Sequence, residues 1–598
     1  MLILVHLAIA AHIAHWLSRG ETISPVEPSE AMAFVQEGLV NAGLIFFLLA
    51  IVATAVFGRF FCGWACHLVA LQDLCRWGLE RVGIRPRPLR SRALAWVPSF
   101  AFLYMFVWPA LYRLWIGSPL PPVEAALTTS AFWATFPGWV IGFATFAICG
   151  FVIVYFLGAK GFCFYACPYG AAFGVAERLS PLRIRVTDAC EGCGHCTASC
   201  TSGVRVHAQV RDFGQVVDPG CMKCLDCVSV CPKEALYYGS GPPAWSAKPR
   251  VAVPSSQSPR FTWPEEIVLG VSFVACFFVA RGLYGVVPFL LSLGAAAIFA
   301  YGVVLLFGLL TRSNLAIHRL ALKRHGKWAT GAYPFVGAMV VLLFTWGHSA
   351  IVRWHQHRAD QVAMELAGLS SLGADIAAPR ALTENERVGL DRLRGHLNAL
   401  ERWSPFPVPG HAARRAWTAA AVGDLEVVET ASAEALERGE DVPRMHLLRA
   451  ATAWQRGDAA SAYIRWESAV AADPRIPGAW VNAGVAMARA GDLSRARAWL
   501  ERARLALPQS AAVLYNLGLV YALLSQPEPA IALFRECLEI DPSHLEASEN
   551  LAGVLASIGR FEESVQQYRR ALALSSEDSR THTLLARALR ALGRNDEA

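Results

Sequence analysis

The sequence predicts a mostly α chain: a polytopic membrane helical bundle, a small α+β cysteine module inserted into it, and a C-terminal α-solenoid. Three observations predict this. Apolar stretches of about 20 residues, the length that crosses a bilayer, recur up to about residue 352. Eight of the sixteen cysteines crowd between residues 190 and 231. Past residue 410 a 34-residue period takes over.

The chain is 55% hydrophobic and 17% charged over 598 residues, a balance that ordinary soluble proteins do not show. Its arginines flank apolar stretches instead of forming a stripe, so nucleic acid is not an expected partner. Seven spans are expected, at 2–17, 38–58, 93–112, 138–158, 267–284, 287–310 and 333–352. The first lacks a cleavage-site pattern and reads as a span, not a signal peptide. Met1 already lies in hydrophobic sequence, which suggests a start farther upstream.

Lysine and arginine bias sets the expected orientation. The loop after the second span carries Arg59, Arg76, Arg81, Arg85, Arg87, Arg90 and Arg92, and the loop after the sixth carries Arg312, Arg319, Lys323, Arg324 and Lys327. The loops after the first and third spans hold only Arg19 and Arg113 beside several glutamates. The expected setting is therefore a bacterial inner (cytoplasmic) membrane, multi-pass, with the 160–265 insert in the cytoplasm. Seven crossings from an inside N-terminus put the C-terminal half in the periplasm.

Within the insert, "CEGCGHCTASC" gives Cys190, Cys193, Cys196 and Cys200, and "CMKCLDCVSVCP" gives Cys221, Cys224, Cys227 and Cys231. Each run is spaced x2, x2, x3, the spacing of a bacterial two-cluster ferredoxin, in which the fourth cysteine ligates the other cube. The expected ligands are Cys190, Cys193, Cys196 and Cys231 for one [4Fe–4S] cluster, and Cys221, Cys224, Cys227 and Cys200 for the second. Thr201 stands where the motif usually has proline. A pair of zinc sites is the alternative for Cys-x2-Cys alone; two complete four-cysteine runs favour iron–sulfur.

A second motif is duplicated. "GRFFCGWAC" and "GAKGFCFYAC" both read G-x-x-F-C-x-x-x-C, apart from one extra residue in the second, and each follows an apolar span. Cys62, Cys66, Cys163 and Cys167 thus leave the membrane at one level and are expected to form a redox or metal site, with inert packing as the alternative. Cys75, Cys149 and Cys276 have no duplicate and read as packing. His6, His12, His15 and His348 lie in spans. Ligands or relays at a quinol or haem site and plain interface-facing residues are both open for them.

These elements together resemble the NapH/NosR/CcoG-type membrane polyferredoxins, over about residues 35–240. That family pairs C-x3-C-P motifs at membrane-helix ends with a cytoplasmic two-cluster ferredoxin. The resemblance implies electron transfer between a membrane redox pool, here the quinone pool, and a partner protein. His67 departs from the family's proline after Cys66, whereas Pro168 keeps it. Neither an FMN-binding domain of the NosR kind nor an immunoglobulin-like tail of the CcoG kind is recognisable. The CcoG likeness implies the alternative of a copper reductase or assembly factor for a respiratory oxidase. A redox-sensing scaffold is a third reading.

In the C-terminal half, Gly423, Gly457, Gly491, Ser525, Gly559 and Gly593 recur every 34 residues, as do Ala435, Ala469, Ala503, Cys537 and Ala571. "WVNAGVAM" and "LYNLGLVY" match the tetratricopeptide-repeat (TPR) signature. Such arrays stack into superhelices that bind proteins and carry no chemistry of their own, so a docked protein partner is expected. The chain reaches Ala598 midway through a unit, which suggests a longer array. The expected division is 1–158, four membrane helices with the first C-x3-C motif, and 159–184, the second motif and a connector. The ferredoxin module occupies 185–240, and three more membrane helices 265–352. A connector and proline-rich linker occupy 353–410, and the repeats 411–598. The whole reads as an electron carrier more than a stand-alone enzyme.

Overall fold

A computed structural model describes residues 2–86, 88–133, 138–251, 260–369, 382–575 and 578–597. Arg87 of the basic loop and the middle of the 353–410 connector fall outside them. The chain divides into two compact units, Met1–Ala350 and Ile351–Ala598.

Each expected apolar stretch of the first unit is helical. The helices are Leu2–Arg19, Ala42–Phe57, Leu94–Trp115, Trp139–Leu157, Trp263–Ala280, Phe289–Thr311 and Ala332–Glu365, the last running on into the second unit. Among the described residues, five are long and apolar enough to cross a bilayer; the first two are shorter. The second was expected from residue 38. Instead, Leu39–Val40 pair as a strand with Glu124–Ala125, and the helix starts after Asn41, whose Oδ1 accepts from the Leu44 N–H at 2.8 Å. It stops at Gly58, where φ is 75°, a left-handed conformation that glycine takes without steric cost. The third and fourth of these helices each contain a π-helical stretch, Leu103–Val107 and Phe146–Val152.

The bundle core forms where small residues let helices approach. Ala296, Ala297 and Ala300 of the 289–311 helix are fully buried against Ile153, Leu157 and Leu269. The helix ends gather at two opposite levels. At one, Ser91 Oγ donates to Glu266 Oε2 at 2.7 Å, the Leu89 N–H to Leu157 O at 2.9 Å, and Arg312 Nη2 to Glu265 Oε2 at 2.6 Å. At the other, Trp16 Nε1 donates to Ser130 O at 2.9 Å and Arg113 Nη2 to Gln36 O at 2.5 Å. The cysteine motifs and the basic loops all lie at the first level.

The inserted module is closed on itself. Strand Leu182–Val186 pairs antiparallel with Leu236–Ser240, and the Gly241 N–H donates to Pro181 O at 2.8 Å. Ile184, Val204, Val206, Val210, Val216 and Leu236 fill its small core. Tyr238 Oη donates to Phe57 O at 2.6 Å and Ser180 Oγ to Val56 O at 3.0 Å, which seats the module on the end of the 42–57 helix.

The second unit is built of paired antiparallel helices from His411–Val422 to Ser579–Ala591. The 34-residue beat becomes geometry there. Gly423, Gly457, Gly491, Ser525, Gly559 and Gly593 all have φ between 58° and 84°. Ala435, Ala469, Ala503, Cys537 and Ala571 are all fully buried between helices. Asp424, Asp458 and Asp492 come directly after the first three turns and cap the next helix, each accepting from the N–H three residues on.

Candidate functional site

Each cysteine triple of the insert turns through two left-handed residues: Gly192 (φ 69°) and Gly194 (φ 81°) in the first, Lys223 (φ 52°) and Leu225 (φ 66°) in the second. Alternation of right- and left-handed residues turns successive N–H groups into one concavity, the backbone arrangement found at many iron–sulfur sites. One cavity is lined by Cys190, Cys193 and Cys196 together with Cys231 from the other run, and by Gly192 and Pro232. The Ala235 N–H donates to Cys231 Sγ at 3.3 Å.

The remaining four thiols also cluster. Burial, then Cys221, pushes the Cys200 thiol up to about 11, and burial pushes Cys224 up to about 12. Cys227 is raised by burial and by Cys221, Cys224 and Cys200. A metal held by these cysteines would offset that penalty, because a coordinating thiol ionises outright. Cys227 also lies within electrostatic reach of Cys196, so the two sets are neighbours. Among the described residues no three His, Cys, Asp or Glu side chains converge as they do on a single ion. A four-iron cube spreads its thiolates over its corners, and the four-cysteine cavity fits that arrangement.

The duplicated motifs fold alike. Cys62 and Cys163 sit in the short helices Phe60–Trp64 and Gly161–Tyr165; Cys66 and Cys167 immediately precede His67–Arg81 and Pro168 with Tyr169–Leu179. His67 is the first residue of its helix, a position that suits proline but does not require it, so the departure from C-x3-C-P leaves the local geometry in place. The four thiols lie within electrostatic reach of one another. Burial, then Cys163 and Cys62, raises Cys66 to about 12, and burial with Cys163, Cys66 and Cys62 raises Cys167. Gln72, 1% exposed, joins the two copies: its Nε2 donates to Cys163 Sγ at 3.1 Å and its Oε1 accepts from the Phe162 N–H at 3.2 Å. Beside the quartet, Arg59 Nε and Tyr169 Oη are buried with no protein partner among the described residues. A thiolate-ligated centre, rich in acceptors, fits these orphaned donors.

The second ferredoxin loop lies directly on this quartet. Arg59 Nη2 reaches Cys62 Sγ at 3.9 Å while its Nη1 donates to Pro219 O at 3.2 Å. Trp64 Nε1 donates to Lys223 O at 2.8 Å. Gly63 permits the approach, since a Cβ there would fall 2.3 Å from Met222 O. Glu177, fully buried, accepts from Lys223 Nζ at 2.7 Å and Arg183 Nη1 at 3.2 Å through Oε1, and from the Arg59 N–H at 2.8 Å through Oε2. Gln72, Glu177 and Arg183 are not singled out by sequence reasoning; the available signal was a polar or charged residue shortly after a cysteine motif.

Cys75, Cys149 and Cys276 are buried in the bundle core, and Cys537 fills a small-residue position of the repeats. His12 Nε2 is 2.9 Å from Ile23 O and His15 Nδ1 is 3.0 Å from Thr22 Oγ1. Both serve the loop at the end of their helix.

Family models match several parts of the chain. A "4Fe-4S binding domain" model matches residues 41–86 and 136–187, around the two C-x3-C motifs, and a "4Fe-4S dicluster domain" model matches 182–232. Tetratricopeptide-repeat models match 453–511, 511–544 and 550–598. The ferredoxin-type protein NapH of Haemophilus influenzae is 26% identical over 34% of this chain and 68% of its own. The methylamine utilization ferredoxin-type protein MauN of Methylorubrum extorquens is 28% identical over 31% of this chain and 66% of its own. The chain therefore spans about two-thirds of the length of these curated relatives. Among solved structures, the thermophilic TPR protein TTC0263 of Thermus thermophilus is 28% identical, covering 30% of this chain and 96% of its own at a TM-score of 0.24. The first half of the chain is thus similar to the NapH and MauN ferredoxin-type proteins and carries 4Fe–4S binding domains, and the second half carries tetratricopeptide repeats.

Proposed function

We propose that this protein passes electrons between the quinone pool, the Cys62–Cys66–Cys163–Cys167 site and two [4Fe–4S] clusters of the insert, toward a protein docked on its repeats. The observation that carries this reading is the Arg59–Trp64 bridge, in which one short segment touches both Cys62 and the loop that bears Cys221 and Cys224. A [4Fe–4S] cluster, when bound, takes up and releases single electrons. The chain's own residues hold the thiolates, keep water away through buried Met222 and Cys227, and fix the distance between the two sites.

Quinone exchange is supported by an apolar groove of about 900 Å³ between the 94–115 and 263–280 helices. Trp96, Phe100, Phe273 and Phe277 line it, and Arg281 Nε donates to Tyr104 Oη at 3.0 Å beside it. Phe289 lines the same groove and packs on the core that contains Cys62 and Cys163. In this reading the basic helix-end level faces the cytoplasm and the repeats lie in the periplasm.

The test is quinol-driven reduction of the insert's clusters in membranes carrying single and quadruple Cys→Ser variants of the quartet. Groups that act as a unit are strongly non-additive, so each single change is expected to cost nearly as much as all four. Cys75→Ser is the control and behaves like wild type. Unimpaired reduction in the quadruple variant overturns the reading.

A further inference from the structure

Arg59 is 5% exposed, yet among the described residues its guanidinium meets no carboxylate at hydrogen-bonding distance. Glu177, the buried acid that touches this segment, is already engaged: Oε1 by Lys223 and Arg183, Oε2 by the main-chain N–H of Arg59. The guanidinium itself meets a carbonyl, Pro219 O at 3.2 Å, and a sulfur, Cys62 Sγ at 3.9 Å, while the buried Nε meets no acceptor among the described residues. It also reaches the second motif. A Cβ on Gly170, three residues past Cys167, would stand 3.5 Å from Arg59 Nη2 and 3.9 Å from Cys167 Cβ.

A guanidinium keeps its charge in any protein environment, and a buried ion without a counter-charge costs several kcal/mol. Four neutral thiols do not offset that cost, whereas thiolates do. We propose that Arg59 is the counter-cation of an anionic, thiolate-ligated centre held by Cys62, Cys66, Cys163 and Cys167, and that it sets the reduction potential of that centre. This role rests on the quartet being a redox site. Reduction adds negative charge to the centre, so a fixed cation beside it favours the reduced form and its removal lowers the potential. Tyr169 Oη, buried within electrostatic reach of Cys167 and with no hydrogen-bond partner among the described residues, acts in the same sense as a second donor.

The experiment uses the full chain, purified anaerobically. Iron, copper and sulfide are counted, and an EPR-monitored redox titration is run on wild type, Arg59→Gln, Arg59→Lys, Tyr169→Phe and the quadruple Cys→Ser variant. The quadruple variant is expected to lack the quartet's metal and its signal. If it keeps all wild-type metal and signals, there is no centre at the quartet, and the underlying reading fails first. Given a centre, Arg59→Gln is expected to shift its reduced-to-oxidised equilibrium at least tenfold toward oxidised, which is about 59 mV for a one-electron couple. Arg59→Lys retains most of the wild-type value, Tyr169→Phe shifts it in the same direction by less, and the insert's own signals move less. An unchanged midpoint in Arg59→Gln with full metal content overturns the proposal and leaves Arg59 a packing residue. If Arg59→Gln loses the metal, Arg59→Lys decides. Retention by lysine supports the role of charge; loss in both variants shows that shape alone matters and overturns the counter-cation role.

Discussion

Lys223 Nζ and Glu177 Oε1 meet at 2.7 Å with both side chains fully buried. Lys223 stands between two cysteines of the ferredoxin loop, and Glu177 lies on the helix just past the second membrane-face cysteine pair. Their ion pair therefore fastens one cysteine site to the other. Removing one partner of a buried pair leaves an uncompensated charge and costs about 3–5 kcal/mol.

The pair makes an asymmetric prediction. Glu177→Gln strands both Lys223 and Arg183, whereas Lys223→Met leaves Glu177 paired with Arg183 at 3.2 Å. Glu177→Gln is therefore expected to be the more damaging change. Hydrogen exchange across residues 219–231 of the full chain measures it, and equal protection in the two variants would contradict this account.

The ferredoxin loops make a second prediction. Cys193→Ala and Cys231→Ala, 38 positions apart in sequence, line one cavity and are expected to abolish the same EPR signal. Cys227→Ala is expected to abolish the other. Separate signals lost by Cys193→Ala and Cys231→Ala would show that each run holds its own cluster.

Orientation is tested by fusion. A reporter that works only in the periplasm is expected to be active after Gly410 and silent after Ser240, as the arginine and lysine bias implies. Like behaviour of the two fusions would mean an even number of crossings between them.

Ser525 offers a stability test. It occupies a turn that is glycine in its five counterparts, at φ 58°, and a left-handed non-glycine residue costs roughly 1–2 kcal/mol. Ser525→Gly is expected to stabilise the repeats by about 1 kcal/mol, seen as a higher melting temperature of the helical signal. Ser525→Val, by the same reasoning, is expected to lower it.

His396 supplies a pH dependence. Burial, then His355 and Arg358, hold its imidazole below the usual 6.5; its Nδ1 lies 3.0 Å from that of His355. The folded form thus takes up a proton at lower pH than the unfolded chain does. The neutral pair's contribution is present above about pH 6.5 and is lost as the pH falls through the folded value. Acidification from pH 7.5 to about 5.5 is expected to weaken protection of the Glu384–Trp403 helix, and His396→Phe is expected to flatten that dependence.

Much of the architecture is legible in the sequence because it rests on local periodicity. Apolar stretches become helices wherever they are long, and the 34-residue beat of glycine and alanine becomes turns and buried contacts. The second span misleads at its start, since Leu39 and Val40 are as apolar as the helix beyond them but are claimed by Glu124 and Ala125, partners far along the chain. The candidate site divides in the same way. Cysteine spacing names its thiols, but nothing local announces that Arg59 binds Glu177 from 118 positions away, or that Lys223 binds it from 46. Gln72, read as one polar residue in an amphipathic helix, bonds a cysteine 91 positions on. Such contacts depend on how the spans assemble, and a one-dimensional pattern does not record assembly.

The hydrogen bond from Gly241 to Pro181 has a consequence of its own. A chain that departs at one residue and returns, sixty positions later, to within 2.8 Å of it presents itself to the flanking membrane helices as little more than a tight turn. Whatever lies inside that parenthesis can lengthen, shorten or be exchanged without altering the spacing between the spans outside. The cysteine-rich insert is thereby free to vary as a cassette, provided the loop holding Met222 and Lys223 still comes down on Gly63 and Trp64. The membrane bundle needs the insert to keep that landing surface and its seats at Phe57, Arg59 and Glu177.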